Sequence, residues 1–467
     1  MSKLKGILLL QDSESWFYIT IFFLPFLAVS PWQPLFIFPI HSGFVYAVLA
    51  LLTFISFIRE RLIQKKPISL WHPLFSILLL FVYVNIVSLA FNWDLIKLDP
   101  VVKNAVGFKS PYVYNIFLII YLSFNFMTLW LAFNIVNSKE KLKKTFQVLI
   151  FSAIIACLYG TVLVLAHMLG YIKELLGPTW IVPRLHGTAS EAQVFANFLL
   201  SILPFVFMMF ILRVDILRRD ILGIAIFIFL LSMVMTFSMG GWIGFIAGAG
   251  IGALLCIDRI KFERVLGVFL IFILILTTLF LIDYYLHRGY MKGLSEITLK
   301  VTGKVTPREK GEELPSEPRM DMTTLSKYDR MWLRQAALSM FWQHPVIGVG
   351  TGNYGFLYNY YKPGGTAGRP YLAKAHNAYL EILAETGFIG FSIFMIFLSG
   401  VLFKMERVFF VSREGESRAY IAGIGASVIG LLVQGLVFGI LVHNYTWIIF
   451  GLGLASARIF EENSKFA

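Results

Sequence analysis

Charge is scarce in this chain. Asp, Glu, Lys and Arg make up 14% of its 467 residues, where a soluble domain carries roughly a quarter. Cysteine is scarcer: Cys157 and Cys256 stand in separate apolar stretches without CxxC spacing. That argues against a disulfide framework or a thiolate metal site and makes both small buried apolar residues. HExxH, GxSxG and GK[ST] sequences are absent, as is any DxD pair in a segment expected outside a membrane, so the usual zinc, nucleophile-elbow and nucleotide-phosphate devices are missing. There is no internal repeat and no matched pair of interrupted helices, which speaks against a secondary transporter. Lys3 and Lys5 precede a short apolar patch without a small-residue cleavage site, so the N-terminus reads as the start of a first span.

What the chain has is apolar length. Hydrophobic residues make up 58% of it, with 45 Phe and 20 Tyr, and the mean hydropathy is +0.76. Runs near 20 residues recur throughout, each long enough for a hydrocarbon core of about 30 Å. The expected class is an all-α integral membrane protein of about 12 transmembrane helices. The runs lie near 16–38, 40–58, 71–93, 113–136, 146–170, 191–212, 221–237, 241–257, 265–286, 388–404, 419–441 and 445–460. Every second connection is short and basic: 59–66, 139–144, 213–219, 258–264 and 404–418. The positive-inside rule places these and both termini in the cytoplasm. The formal net charge of +13 is thereby explained by topology, with no nucleic acid needed.

The remaining connections face outward, and one is long. The chain divides into 1–286 with nine spans, 287–375 as a large extracytoplasmic loop, and 376–467 with three spans. Residues 300–321 of the loop are polar and poor in apolar side chains, as expected of a surface excursion. From Thr323 or Thr324 a helix is expected to run to about His344, ended by Pro345 and Gly348. A second helix is expected from near His376 to Thr386–Gly387, leading directly into the next span. Between them, residues 348–355 (GVGTGNYG) look superficially like a phosphate loop. No strand precedes this stretch and no following helix is evident, so it reads as a tight turn.

Polar chemistry is concentrated in that region. Arg330 and Arg334, four apart on a helix, share a face and are able to grip a diphosphate through forked donors. The plainer reading is a solvated face with Asp329 as partner. His376, at a helix start near the outer surface and followed by Asn377 and Tyr379, suits a general base, since a free imidazole titrates near about 6.5. Helix capping is its plainer role. His344 reads as a cap on helix-end carbonyls, and His186 stays open. Glu191 opens a span after a loop carrying Arg184. A carboxylate at the edge of hydrocarbon is costly, yet it also complements a helix N-terminus. Gly240, Gly244, Gly248 and Gly252 recur every fourth residue, as on a small-residue packing face. Residues 30–41, the first outward loop, contain no acidic residue, so a catalytic base has to come from elsewhere.

Four blocks together resemble the bacterial O-antigen ligase and O-antigen polymerase family. They are Arg184 to Gln193, Thr236 to Trp242, Asp329 to Gly350, and His376 to Gly390. The resemblance implies a GT-C-like membrane glycosyltransferase with one large extracytoplasmic helical loop, sited in the cytoplasmic (inner) membrane with its active site facing outward. Such an enzyme transfers a glycan from undecaprenyl diphosphate to a sugar hydroxyl on a lipid A core, another repeat unit or a protein. It implies His376 as base, Arg330, Arg184, Arg334 and Arg288 as diphosphate ligands, and Glu191, Asn377 and Tyr379 in support. Inverting displacement without metal or cofactor follows, the arginines serving as the cations. Met239 stands where the family carries arginine, and Ala192–Gln193 where it carries Pro-Asn. A flippase or exporter of lipid-linked glycans is the alternative, but it needs a charged cavity at membrane depth, and the spans here are nearly free of charge.

Overall fold

A computed structural model describes residues 12–27, 34–35, 38–67, 72–95, 111–169, 171, 184–189, 191–286, 322–363, 373–412 and 414–465. The chain is built from helices. In order they are α1 (Ser13–Phe23), α2 (Ser42–Ile63), α3 (Pro73–Phe91), α4 (Pro111–Ile135), α5 (Lys139–Met168), α6 (Ala192–Leu200), α7 (Leu203–Leu212), α8 (Arg219–Met235), α9 (Met239–Leu255), α10 (Phe262–Leu286), α11 (Met322–Gln343), α12 (Tyr354–Tyr361), α13 (Ala378–Val411), α14 (Gly415–Gln434) and α15 (Asn444–Lys465). Among the described residues, six segments are long and apolar enough to cross a bilayer: α3, α4, Lys139–His167 of α5, Ala192–Leu212 spanning α6 and α7, α13 and α14. Met239–Leu255 and Leu266–Leu281 are apolar but shorter. Large side chains such as Phe269, Leu270, Leu274 and Phe403 are more than half exposed, which suits a lipid-facing surface rather than a wet one. The chain is an α-helical, multi-pass membrane protein.

Several boundaries differ from expectation. The first apolar run is no continuous helix. α1 passes into a short 3-10 turn at Leu24–Leu27, and a small antiparallel hairpin pairs Pro34 with His41 and Leu35 with Phe38. Pro25, Pro31, Pro34 and Pro39 explain the break, since proline gives up the backbone donor and clashes within a helix. The run 191–212 is two helices, divided at Ser201–Ile202 just ahead of Pro204. α13 continues to Val411, through part of the expected 404–418 connection. α14 ends at Gln434, and a turn over 435–443 precedes α15. Residues 287–321, including the expected surface excursion, lie outside the described residues.

The basic connections do gather at one end of the bundle. Ser13 donates from its backbone N–H and its hydroxyl to Glu60, each at 2.6 Å. Lys141 pairs with Glu14 at 2.9 Å and Lys139 with Glu416 at 2.6 Å. Lys404 pairs with Glu461, and Arg418 approaches Asp258 at 4.0 Å. These contacts join the starts of α1, α5 and α14 to the ends of α2, α9, α13 and α15, so the alternation read from charge corresponds to one shared face.

The glycine stripe of α9 packs as expected. It meets α14 so closely that a Cβ on Gly244 would lie 2.7 Å from Gly430 O, and one on Gly248 would lie 2.1 Å from Ala426 O. Cys157 and Cys256 are buried and unbridged.

A second, smaller core lies in the late polar region, formed by Leu333, Ala336, Ala337 and Met340 of α11 with Tyr354, Leu357, Tyr358, Ala373, Ala375 and Ala384. α11 occupies the expected span. α13 bends at Gly387, whose φ of 62° and ψ of −165° lie outside the helical range. The bend frees backbone groups, and residues 345–350 take them up. Phe388 N–H donates to Pro345 O (2.8 Å) and Ile389 N–H to Val346 O (3.2 Å). Val349 and Gly350 N–H donate to Ala384 and Glu385 carbonyls at 2.9 and 3.0 Å. The glycine-rich stretch is therefore a brace for the bend. Contrary to expectation a helix does follow it, α12, short and sharply turned out of Gly348, Gly350 and Gly352, all at positive φ.

Candidate functional site

The second polar face lies opposite the ion-paired one, where the loop 184–189, the α8–α9 turn, α11, the start of α13 and the 435–443 turn converge. Each is held by backbone contacts. Leu185 N–H donates to Met235 O at 2.9 Å, and Arg184 Nε donates to Thr236 O at 2.8 Å, so the loop sits on the C-terminal end of α8. Gly187, at φ +56°, passes so close to Phe195 that a Cβ would lie 2.3 Å from the ring. Ser238 caps α9 by accepting from Gly241 N–H.

Arg330 and Arg334 lie one turn apart on α11. Arg334 Nη2 donates to Leu436 O at 3.2 Å. Asn377 Nδ2 donates to the same oxygen at 3.1 Å. The second arginine of the pair and the residue following His376 therefore share one acceptor in the 435–443 turn. Arg184 joins them electrostatically. Burial pushes its guanidinium down to about 10, the charge of Glu191 acting against this and the charge of Arg330 adding to it. It remains a cation at neutral pH, partly desolvated and within range of a second cation. That environment favours an anionic ligand.

His376 is not the helix cap. Asn377 is: its Oδ1 accepts from Tyr379 and Leu380 N–H, each at 3.0 Å. His376 stands just before the cap with φ of +48°, uncommon for a residue with a Cβ. Its ring lies 6.3 Å from that of Phe438. Phe438 stacks on His443 at 5.7 Å, and His443 on Tyr445 at 5.2 Å. Burial holds the His443 imidazole down to about 3, which makes it a neutral packing ring that supports the turn.

The other expected residues divide. Glu191 occupies the N-cap of α6 without a capping bond, and its charge acts on Arg184. The Tyr379 hydroxyl donates to Leu432 O at 2.7 Å and so ties α13 to α14. His186 Nδ1 lies 2.9 Å from Ala189 O, within its own loop. His344 does not cap carbonyls. Its Nε2 meets the Tyr361 hydroxyl at 3.1 Å, because α12 comes back alongside the end of α11. Arg288 lies outside the described residues. Sequence reasoning missed the 435–443 turn, which the apolar pattern merged into a span; Gly435 and Gly439 were the signal available. Among the described residues, no three His, Cys, Asp or Glu side chains are grouped as metal ligands.

Residues 224–395 match the family model described as O-antigen ligase. The segment takes in α8, α9, α11 and the first half of α13, and so three of the four blocks that suggested the resemblance. Over this segment the chain is similar to the O-antigen ligase family. No curated protein matches the chain.

Proposed function

We propose that the protein is a twelve-span membrane glycosyltransferase of the cytoplasmic membrane, with its site on the outer face. It transfers a glycan from undecaprenyl diphosphate to a sugar hydroxyl carried by a lipid A core, another repeat unit or a protein. The observation that carries the reading is the shared Leu436 carbonyl, which joins the arginine face of α11 to the start of α13 beside His376.

In this mechanism His376 takes the proton of the acceptor hydroxyl as its oxygen attacks the anomeric carbon. The bond from that carbon to the diphosphate oxygen breaks, and its electron pair leaves with the diphosphate. A single displacement inverts the anomeric centre. Arg330, with Arg184 and Arg334 behind it, stabilises the negative charge that develops on the leaving group. Each charge-assisted bond contributes about 1.5–3 kcal/mol, and the base contributes roughly 10²–10⁴ in rate. Arg288 is a further candidate ligand by resemblance. Glu191 sets the charge around Arg184, while Asn377 and Tyr379 support the start of α13. No cofactor enters this scheme, and the guanidinium groups supply the positive charge.

The test is reconstitution. Purified protein in lipid nanodiscs receives an undecaprenyl-diphosphate-linked glycan and a saccharide acceptor. Release of undecaprenyl diphosphate together with an elongated acceptor of inverted anomeric configuration is expected. Movement of the intact lipid-linked glycan across a vesicle bilayer, without transfer, would replace this reading with the flippase one.

A further inference from the structure

His376 is held from both sides. On its C-terminal side the anchors are Asn377 Nδ2 on Leu436 O and Ala378 N–H on Gly435 O, at 3.1 and 2.8 Å. On its N-terminal side they converge on one carboxylate. Glu381 Oε2 accepts the backbone N–H of Ala375 at 3.0 Å, one residue before the histidine. Glu381 Oε1 accepts from Lys374 Nζ, also at 3.0 Å. The Glu381 side chain is 15% exposed and that of Lys374 39%, so the carboxylate is the shielded partner. Tyr114 of α4 and Glu385 of α13 also lie within electrostatic range of Lys374. Between these anchors the chain crosses His376 at φ +48°. A left-handed backbone at a residue with a Cβ persists only where its surroundings over-determine it.

The chemistry of the grip is specific. A glutamate in the first turn of a helix ordinarily serves the exposed N–H groups of that turn. Glu381 instead reaches back past the N-cap to the segment preceding it. Its two oxygens are divided between a backbone donor and an ammonium, and this fixes the direction in which residues 374–376 enter the helix.

We propose that Glu381, braced by Lys374, is a positioning residue that fixes the backbone of His376 and aims its ring at the acceptor. The proposal deepens the reading of His376 as base and rests on it. Glu381 touches no substrate in this scheme. It acts through the 374–375 peptide and the Lys374 ammonium, so it should govern turnover and leave donor affinity, which belongs to the arginines, unchanged.

Two readouts test it. The first is independent of activity: protein labelled at histidine with ¹³C and ¹⁵N, in nanodiscs, with the His376 signal assigned through His376→Gln. Glu381→Ala is expected to move or broaden that signal. Glu381→Gln, which keeps an acceptor for Ala375 N–H, should largely restore it. The second is steady-state transfer by the folded, monodisperse fraction. Glu381→Ala is expected to lower kcat about 10- to 100-fold, in line with the cost of a small misplacement of a reacting group, with donor KM within about twofold. Glu381→Gln should recover most of kcat. An unmoved His376 signal, or loss of kcat and donor affinity together, overturns the proposal. So does a moved signal with undiminished kcat where His376→Ala is inactive. Full transfer by His376→Ala, with the signal still moving in Glu381→Ala, refutes the base reading and shows that the failure lies there rather than in the grip of Glu381.

Discussion

Arg334 and Asn377 donate to a single oxygen, the carbonyl of Leu436, at 3.2 and 3.1 Å. The two residues stand 43 positions apart, on α11 and at the start of α13, and the acceptor belongs to a third segment. A carbonyl has two lone pairs, so it can accept both bonds without either being displaced. The contact ties α11 and the start of α13 to the same point of the 435–443 turn.

His376→Ala should lower glycan transfer by roughly 10²–10⁴ and leave membrane insertion and thermal stability close to wild type, because Asn377 and not His376 caps α13. Turnover measured on purified, monodisperse protein checks this; unchanged turnover removes His376 from the chemistry.

Arg330→Ala should cost more than Arg330→Lys. Lysine keeps the charge and loses the planar fork that meets a diphosphate with two parallel bonds. The comparison is read in kcat/KM for the donor lipid, and equal losses would argue against forked binding.

Transfer should continue in excess EDTA, since three arginines supply the positive charge in the proposed mechanism. Turnover of purified protein with donor lipid and acceptor measures this. Loss on chelation, restored by a divalent ion, would show that the mechanism needs a metal.

Acid should destabilise the protein partly through His443. Its folded value is pushed down to about 3 by burial, while an unfolded imidazole titrates near about 6.5. Below that higher value the unfolded chain binds the extra proton, so stability present above about pH 6.5 is lost as pH falls toward 3. His443→Phe keeps the ring stacked between Phe438 and Tyr445 and removes the titrating group. Its thermal midpoint in detergent should therefore fall less between pH 7 and pH 4 than that of the wild type. Equal falls would assign the acid sensitivity to other groups.

Gly248→Val should disrupt the contact of α9 with α14. The added Cβ would meet backbone atoms, Ala426 O at 2.1 Å and Gly430 N at 3.0 Å, and no side-chain rotation can relieve that. Overpacking of this kind costs typically 1–3 kcal/mol or more. Gly250→Ala, with nothing within 4 Å of its Cβ, should be neutral. Thermal midpoints of the two variants decide it.

The sequence by itself determined the class of protein, the alternation of its connections and the limits of α11. All three follow from local quantities: apolar run length, basic residues between runs, and the proline and glycine that end a helix. The glycine stripe of α9 was legible for the same reason, as a period along one helix. Tertiary structure decided the rest. Whether Arg334 and Asn377 meet depends on how the 435–443 turn folds back, and an apolar turn carries no period to distinguish it from the spans it joins. The acceptors Leu436 O and Thr236 O are backbone groups, which every residue type possesses, so no sequence pattern could announce them. His344 found Tyr361 only because α12 returns beside α11, and the bond from Ala375 N–H to Glu381 depends on the path of the chain before α13, which no pattern of residue types announces.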